Sequence, residues 1–344
     1  MTRYQKFFIA FIFIYISLGS HAQDPFFSQV DMFKPYVNPA NGFNALATDI
    51  KVKLELQFRD QWNNIEMGDD YATSMVNAEY NFYKSNVDSW NAGLLFLSDR
   101  SNTGYLKQTS FQTFTSYSRK LSGNRRGING SHVLTLGASF GLGQTNVDLS
   151  NLWFGRQYDL STFSPDLGAD SGEPIIRDNA SYIDLNLGGR WIYYNTDKIF
   201  TTLGIAVSHV NQPGLSASDE TIKYASRLNV HLAKQMQLGK SMYHKPSLTY
   251  IQQDWAYQFL PAYKLIFDLN NQDEDFSLES GFAARIVHGL ESTIMDAFIF
   301  YLGLGASKWH LDFSFDLNTS TLRPATNGIG ALELGIRYNI LNDN

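Results

Sequence analysis

Polar and apolar residues alternate along most of the chain. In 51-KVKLELQFR-59, Val52, Leu54, Leu56 and Phe58 share one face, while Lys51, Lys53, Glu55, Gln57 and Arg59 share the other. In 182–193, Ile183, Leu185, Leu187, Trp191 and Tyr193 oppose Asp184, Asn186 and Arg190. In 223–232, Lys223, Arg227, Asn229 and His231 oppose Tyr224, Leu228, Val230 and Leu232. His310, Asp312, Ser314 and Asp316 oppose Leu311, Phe313, Phe315 and Leu317; Glu333, Arg337 and Asn339 oppose Leu332, Leu334, Ile336, Tyr338 and Ile340. Side chains alternate faces along a strand, so these segments are amphipathic as strands and not as helices. The runs reach about 10 residues, longer than the 5–6 of an ordinary globular strand and matched to a tilted membrane-spanning one. The pattern predicts an all-β fold, a transmembrane antiparallel β-barrel of about 14 strands, apolar toward lipid and charged toward the lumen. Closure leaves no sheet edge, which lipid would not tolerate.

The connections carry a second signal. With both chain ends in the periplasm, the short links near 84–88, 195–198 and 305–307 all fall on the periplasmic side, and the long insertion 144–180 falls outside. Short inside and long outside is the asymmetry of bacterial outer-membrane barrels. The link 122–131 is longer than that rule prefers. Glu333-Leu-Gly335-Ile-Arg-Tyr338-Asn-Ile340 reads as the closing strand an insertion machine recognises, although four residues follow it instead of a terminal aromatic.

Composition sharpens this picture. Aromatic residues make up 15% of the 344-residue chain and charged residues only 17%, as a wall with one apolar and one polar face requires. Arg3 and Lys6 precede an apolar run, Phe7–Leu18, and Ser20-His21-Ala22 offers a small-x-small cleavage site. Residues 1–22 therefore read as a signal peptide cleaved near Ala22, too short to span a bilayer. The formal charge of −6 becomes −8 without that segment, and an acidic chain gives no reason to expect nucleic acid as a partner. There is no cysteine, hence no disulfide and no lipid-modified N-terminal Cys.

Between the signal peptide and the first strand lies 24-DPFFSQVDMFKPYVNPANGF-43, with neither period. Residues 23–45 are read as a plug or periplasmic segment, and 46–344 as the barrel. Phe26, Phe27, Phe33 and Tyr36 would pack as the plug. Pro35 and Pro39 are expected to hold it extended. The first strand is expected at 46–59, and two later ones at 198–210 and 222–238.

Motifs for chemistry are sparse. There is no P-loop, GxSxG, HExxH or zinc-type Cys/His spacing. Ser208-His209 and the group His288, Glu291, Ser292 are the candidates for nucleophilic catalysis, and lumen or interface positions are the simpler reading of both. Asp268, Asn270, Gln272 and Glu279 resemble a calcium loop, but the glycine needed at its sixth position is Asp273. The expectation is no catalytic residue, no cofactor and no metal. Lumen charges such as Lys53, Arg59, Arg190, Arg227, Arg285 and Arg337 either line an open pore or pair with Asp184, Glu279, Asp312, Asp316 and Glu333. The reading favours a mostly filled lumen.

Several stretches resemble a known family. Gln23-Asp24-Pro25-Phe26-Phe27-Ser28-Gln29, followed by Pro35-Tyr36-Val37-Asn38-Pro39-Ala40, is similar to the opening of the PorP/SprF family. That family comprises outer-membrane proteins of the type IX secretion and gliding systems. The strand with His209, Asn211 and Pro213, the strand with Asp312, Ser314, Asp316, Asn318 and Ser320, and the closing Asn327-Gly328 through Glu333 to Tyr338 resemble further family stretches. Lys34-Pro35 departs from the family's usual residues before the tyrosine. The resemblance implies a non-enzymatic barrel in outer-membrane lipid that supports export or surface anchoring of a cargo adhesin through its C-terminal signal domain. Periplasmic secretion or motor components are further implied partners. The alternative is a transport pore for small solutes, built like a fatty-acid transporter.

Overall fold

The computed structural model describes residues 24–30, 34–62, 71–101, 106–122, 130–147, 153–166, 168–170, 172, 179–196, 198–214, 223–269, 276–288, 293–306 and 308–342. The signal-peptide reading, Phe33, Glu291, Ser292, Asn270 and Gln272 lie outside these residues.

Fourteen antiparallel strands close into one barrel. They are β1 (Ile50–Gln61), β2 (Tyr71–Lys84), β3 (Asp88–Ser101), β4 (Leu106–Ser122), β5 (Ser131–Val147), β6 (Asn179–Thr196) and β7 (Ile199–Ser208). The second half comprises β8 (Arg227–Gly239), β9 (Met242–Gln253), β10 (Ala256–Asp268), β11 (Phe276–His288), β12 (Thr293–Ala306), β13 (Trp309–Asn318) and β14 (Ile329–Leu341). Each strand pairs with its neighbours in sequence, and β14 closes on β1 with Arg59 opposite Glu333 and Glu55 opposite Arg337. Among the described residues, no helix is long and apolar enough to cross a membrane; the strands do the crossing.

Alternation decides which way each strand faces. On β1, Leu54, Leu56 and Phe58 point outward and are exposed, while Lys53, Glu55, Gln57 and Arg59 are buried inside. The same inversion holds on β6, where Ile183, Leu185 and Leu187 are exposed and Asp184, Asn186 and Arg190 are buried. A water-soluble domain would bury the first set; here the apolar side chains form a band that only lipid can cover. We call the end where β1 starts and β14 finishes proximal, and the other end distal. Trp90 meets Tyr117 edge-on at 5.5 Å, and Trp309 lies 4.4 Å from Tyr338, both pairs at the proximal end. They form part of an aromatic girdle of the kind that sits at a membrane–water interface.

The strands confirm the barrel and correct some of its edges. β1 begins at Ile50 and not at 46, because Asn44–Thr48 turn, with the Thr48 and Ala47 N–H groups donating to Asn44 O. β7 stops at Ser208, since His209 adopts a left-handed conformation (φ 54°) that a strand cannot continue. β8 begins at Arg227, and Tyr224 is not on the lipid face: it is wholly buried in the lumen. The expectation that Pro35 and Pro39 keep the chain extended is also corrected. Pro35 lies in a helical turn, α1 (Lys34–Val37), and Pro39 starts a 3-10 turn, Pro39–Asn41. Proline lacks an N–H and has a fixed φ, which suits a first helical position as well as an extended one. A four-residue helix, α2 (Arg323–Thr326), lies in the link before β14.

Candidate functional site

The first described residues run inside the barrel. From β1 at the proximal end, residues 34–48 and 24–30 lie within the lumen, with Asp24 at the distal ends of β7, β8 and β9. Four sets of contacts fasten it to the wall.

The first holds Asp24. Its Oδ2 lies 2.6 Å from Arg227 Nη1 and 2.9 Å from His209 Nε2, and its Oδ1 accepts from the Tyr224 hydroxyl at 2.6 Å. Its backbone N–H donates to Gln253 Oε1 at 3.0 Å. His209 is gripped from the other side by Asp184 Oδ1 at 2.7 Å, and its ring stacks on Tyr224 at 4.2 Å. Arg227 also donates to the Tyr36 hydroxyl at 3.1 Å and covers the Tyr36 ring at 4.7 Å, while that hydroxyl donates to Pro25 O at 2.8 Å. A cation on an aromatic face adds about 2 kcal/mol when desolvated.

The second set holds Ser28 and Gln29. Their backbone N–H groups donate to the two carboxylate oxygens of Glu333 at 2.6 and 2.9 Å. The Ser28 hydroxyl donates to Asp316 Oδ2 at 2.7 Å and accepts from Arg59 Nη1 at 2.9 Å and Arg285 Nη1 at 3.1 Å. Arg59 pairs with Glu333, and Arg285 pairs with Asp316 at 2.8 Å and Asp296 at 2.7 Å. Tyr301 donates to Ser28 O at 2.9 Å. Arg59, Arg285, Asp316 and Glu333 are all buried, so each of these charges needs the partner it has.

Close approach defines the third set. Asn38 donates to Gly189 O at 3.0 Å and Ile205 O at 3.2 Å. A Cβ at Gly188 would stand 1.9 Å from Asn38 Oδ1, and one at Gly137 would stand 2.4 Å from the Pro39–Ala40 backbone. Glycine at these two wall positions lets the segment lie flat against β5 and β6. The fourth set is proximal. The Phe43 N–H donates to both oxygens of Glu79 at 3.1 and 3.2 Å, Asn91 donates to Phe43 O at 2.9 Å, and Arg190 donates to Gly42 O at 2.8 Å. Lys53 lies 3.4 Å from Glu79 and 3.3 Å from Glu55, which also accepts from Arg337 at 3.1 Å.

Phe27 closes the apolar part, packed in one cluster with Met75, Leu95, Leu97 and Phe114, with Tyr36 edge-on at 6.1 Å. Cavities remain on either side of the plug. A distal one of about 350 Å³ is lined by Phe26, Trp62, Tyr257 and His288, and a proximal one of about 250 Å³ by Phe43, Phe200, His231 and Lys245. Val30 and Val37 border both and stand between them.

The structure thus brings Asp24, Pro25, Phe27, Ser28, Gln29, Tyr36, Asn38 and Pro39 together with His209, Arg227, Asp316, Arg285, Arg59 and Glu333. Other singled-out residues do different work. Asn211 caps the bare edge of β6, accepting from Leu185 N at 3.1 Å and donating to Ile183 O at 2.7 Å. Pro213 O accepts the Tyr224 N–H at 2.8 Å, which sets Tyr224 in place. Ser320 folds a distal turn through Asn318 Oδ1 at 2.8 Å. Tyr338 belongs to the proximal girdle. Glu79, Asn91 and Tyr301 were not singled out from the sequence, because nothing in a single strand marks which lumen residue a distant loop will touch. The Ser208-His209 pair does not have catalytic geometry: both His209 nitrogens are engaged by carboxylates, so neither is free to take a serine proton. His288 Nδ1 is 2.9 Å from Thr293 Oγ1. Asp268 is paired with Lys198 at 2.7 Å.

The Asp24 clamp depends on pH with a definite sign. Burial disfavours the Asp24 carboxylate, but Arg227 and His209 outweigh it and hold its pKa well below the usual range. Burial also disfavours charge on His209, but Asp24 and Asp184 outweigh it and raise its pKa to about 9. The His209 contribution is therefore complete below its unfolded value of about 6.5 and is lost as pH rises through 9; the Asp24 contribution is complete above about 3.9 and is lost only in stronger acid. Unfolding midpoints read by heat-modifiable gel mobility should fall between pH 6.5 and 9.5. His209→Gln should be flatter across that window; an equal fall in the variant would remove His209 from the explanation.

Comparison with known proteins agrees with the barrel fold. No sequence match to a curated protein was found. The barrel is similar to the "TodX monoaromatic hydrocarbon channel deltaS2 mutant" (TM-score 0.52, 9% identity, 89% of this chain and 93% of that one). It is also similar to a second TodX mutant, deltaS2S3 (TM-score 0.50, 12% identity, 89% and 93%). At such identities the likeness is one of fold. The sequence profile of the family described as "Type IX secretion system membrane protein PorP/SprF" matches residues 19–338. The chain belongs to the PorP/SprF family of type IX secretion system membrane proteins.

Proposed function

We propose that this outer-membrane component of type IX secretion is a plugged barrel that holds a secreted cargo, such as an adhesin bearing a C-terminal signal domain, at the cell surface. The observation that carries this reading is the built-in plug: the described residues of 24–43 hydrogen-bond to groups on eleven strands, several of them members of buried ion pairs, which suits a platform better than a conduit. The distal end is read as the outer face, because the long link after β5 emerges there. Within that link, Tyr158–Asp159 pairs with Ser164–Pro165, and Gln157 ties the base by accepting from Phe154 N at 3.0 Å and donating to Ala169 O at 2.9 Å. The tip carries Leu160 and Phe163, 75% and 78% exposed, with Phe163 in a left-handed conformation (φ 51°) that a bulky residue rarely adopts. Two exposed apolar side chains on an ordered tip suit a protein partner.

Replacing both tip residues, Leu160→Ser with Phe163→Ser, should lower the cargo recovered with a tagged chain several-fold and leave heat-modifiable mobility unchanged. Unchanged recovery would move the contact elsewhere. Periplasmic secretion or motor components are the partners proposed for the proximal face. A second reading, a pore for small solutes, draws on the resemblance to the TodX barrels and on the two cavities flanking the plug; it requires the plug to move.

A further inference from the structure

We infer that Glu279, His310 and Asp312 form a binding site for one divalent transition-metal ion of the zinc class, set in the lumen wall near the proximal end. The register places Glu279 of β11 opposite Gly303 of β12, and Gly303 opposite Asp312 of β13. The residue between the two acids therefore has no side chain. A Cβ at Gly303 would stand 3.1 Å from Glu279 Cβ and 3.2 Å from Asp312 Oδ1. The carboxylates of two non-adjacent strands lean over this gap. His310, two residues before Asp312 and on the same face, joins them over a second glycine, Gly305, where a Cβ would stand 3.0 Å from His310 Nδ1.

The distances suit coordination better than hydrogen bonding. His310 Nε2 lies 3.3 Å from Asp312 Oδ1 and 3.7 Å from Glu279 Oε1, and all three donor atoms fall within 4.8 Å of one another. Metal–ligand bonds of about 2.0–2.1 Å in a tetrahedron put ligand atoms about 3.4 Å apart. A charge-assisted hydrogen bond is shorter, about 2.7–2.9 Å, and His209 in this same barrel shows 2.7 and 2.9 Å to its two carboxylates. The single Nε2 of His310 carries at most one proton and cannot donate to both acids at once, whereas an ion satisfies all three. Asp312 supplies an independent sign: it is 6% exposed, and its Oδ2 is buried without a hydrogen-bond partner among the described residues.

Two carboxylates and a neutral imidazole balance a 2+ charge and leave a position open, which is a zinc-type donor set. Two cations border the site. Arg337 donates to Glu55 at 3.1 Å, and Lys264 lies over the Tyr301 ring at 4.7 Å. They compete with the ion for the acids, so affinity is lower than the same ligands would give alone. The ion would staple β11 to β13 across β12.

The test uses the full chain purified in detergent, stripped with a chelator and dialysed against Zn²⁺, with bound metal counted by elemental analysis and Co²⁺ absorption recorded as a ligand-field probe. One ion per chain is expected. His310→Ala and Asp312→Asn should each weaken binding at least about tenfold. Gly303→Ala should do so too while removing no ligand, and His288→Ala should not. Wild-type chain should also gain thermal stability in Zn²⁺ and not in Mg²⁺, a readout that needs no variant to fold. A folded wild-type barrel that retains no Zn²⁺ and shows no stabilisation overturns the inference, as does retention unchanged in folded His310→Ala.

Discussion

Deleting residues 24–43 is expected to turn a closed barrel into a conducting one. An eight-stranded barrel is filled by its own side chains, and barrels of 16–18 strands leave an aqueous channel. Fourteen strands lie between, so wall side chains alone do not fill this lumen. The plug does the filling: Phe27 and Tyr36 supply bulk, and Ser28, Gln29, Asn38 and Phe43 supply backbone and side-chain bonds to the wall. The deletion removes no strand and no ladder hydrogen bond, so the barrel should still insert. It uncovers Arg59, Arg190, Arg227 and Arg285 to water. Recordings in planar bilayers should show stepwise conductance from the deleted chain and none from the intact one, and Arg190→Glu in the deleted background should shift selectivity toward cations. Heat-modifiable mobility should be lost at a lower temperature. Conductance equal in the two chains would mean that the plug closes nothing.

Glu333→Ala should be the most damaging single substitution in the lumen. One carboxylate accepts from Ser28 N, Gln29 N and Gln57 Nε2 and pairs with Arg59. Its side chain is fully buried and that of Arg59 is 4% exposed. Removing one member of a buried ion pair costs about 3–5 kcal/mol, because the other charge is left without a partner in a poor solvent for it. Asp316 still faces Arg59 at 3.3 Å and Arg285 at 2.8 Å, so the net is not emptied of negative charge. The loss should appear in urea unfolding of the barrel in lipid vesicles, and as protease access to the segment around Ser28. Arg59→Met with Glu333→Leu, which removes both charges, should recover much of the stability but not the hold on Ser28 and Gln29. A loss below about 1 kcal/mol in Glu333→Ala, the range of a surface pair, would show that this network is solvated.

Much of the fold was legible because period two is a strong signal wherever one face meets lipid. β1, β6, β13 and β14 carry the alternation read in 51–59, 182–193, 310–317 and 332–340. The edge before β8 failed for a physical reason. At 222–224 the alternation continues past the strand, because lumen contacts also reward an apolar residue beside a polar one. Tyr224 reads as lipid-facing, yet it lies inside, with its hydroxyl on Asp24 and its ring on His209. Period cannot separate burial in lipid from burial against a plug. The lumen position of Arg59, Arg227 and Arg285 was readable for the same reason that Leu54 was; their partners were not. Arg59 meets Glu333 from the far end of the chain, a pairing fixed by closure of β1 on β14 and invisible in either strand. Pro35 and Pro39 failed in a different way. A fixed φ permits both an extended chain and a helical turn, and the wall glycines Gly137 and Gly188 decide which one fits. The Glu279–His310–Asp312 cluster depends on Gly303 standing between two strands, a relation that register alone creates.

A plugged barrel that presents a secreted cargo at the surface should carry that cargo with it out of the membrane. The decisive experiment is gentle detergent extraction of the tagged chain from its own outer membrane, followed by mass spectrometry of what accompanies it. A large secreted protein with a C-terminal type IX signal domain should accompany the chain and be lost when the Leu160–Phe163 tip is made polar. The barrel recovered alone, with the intact chain conducting solutes in planar bilayers, would contradict it.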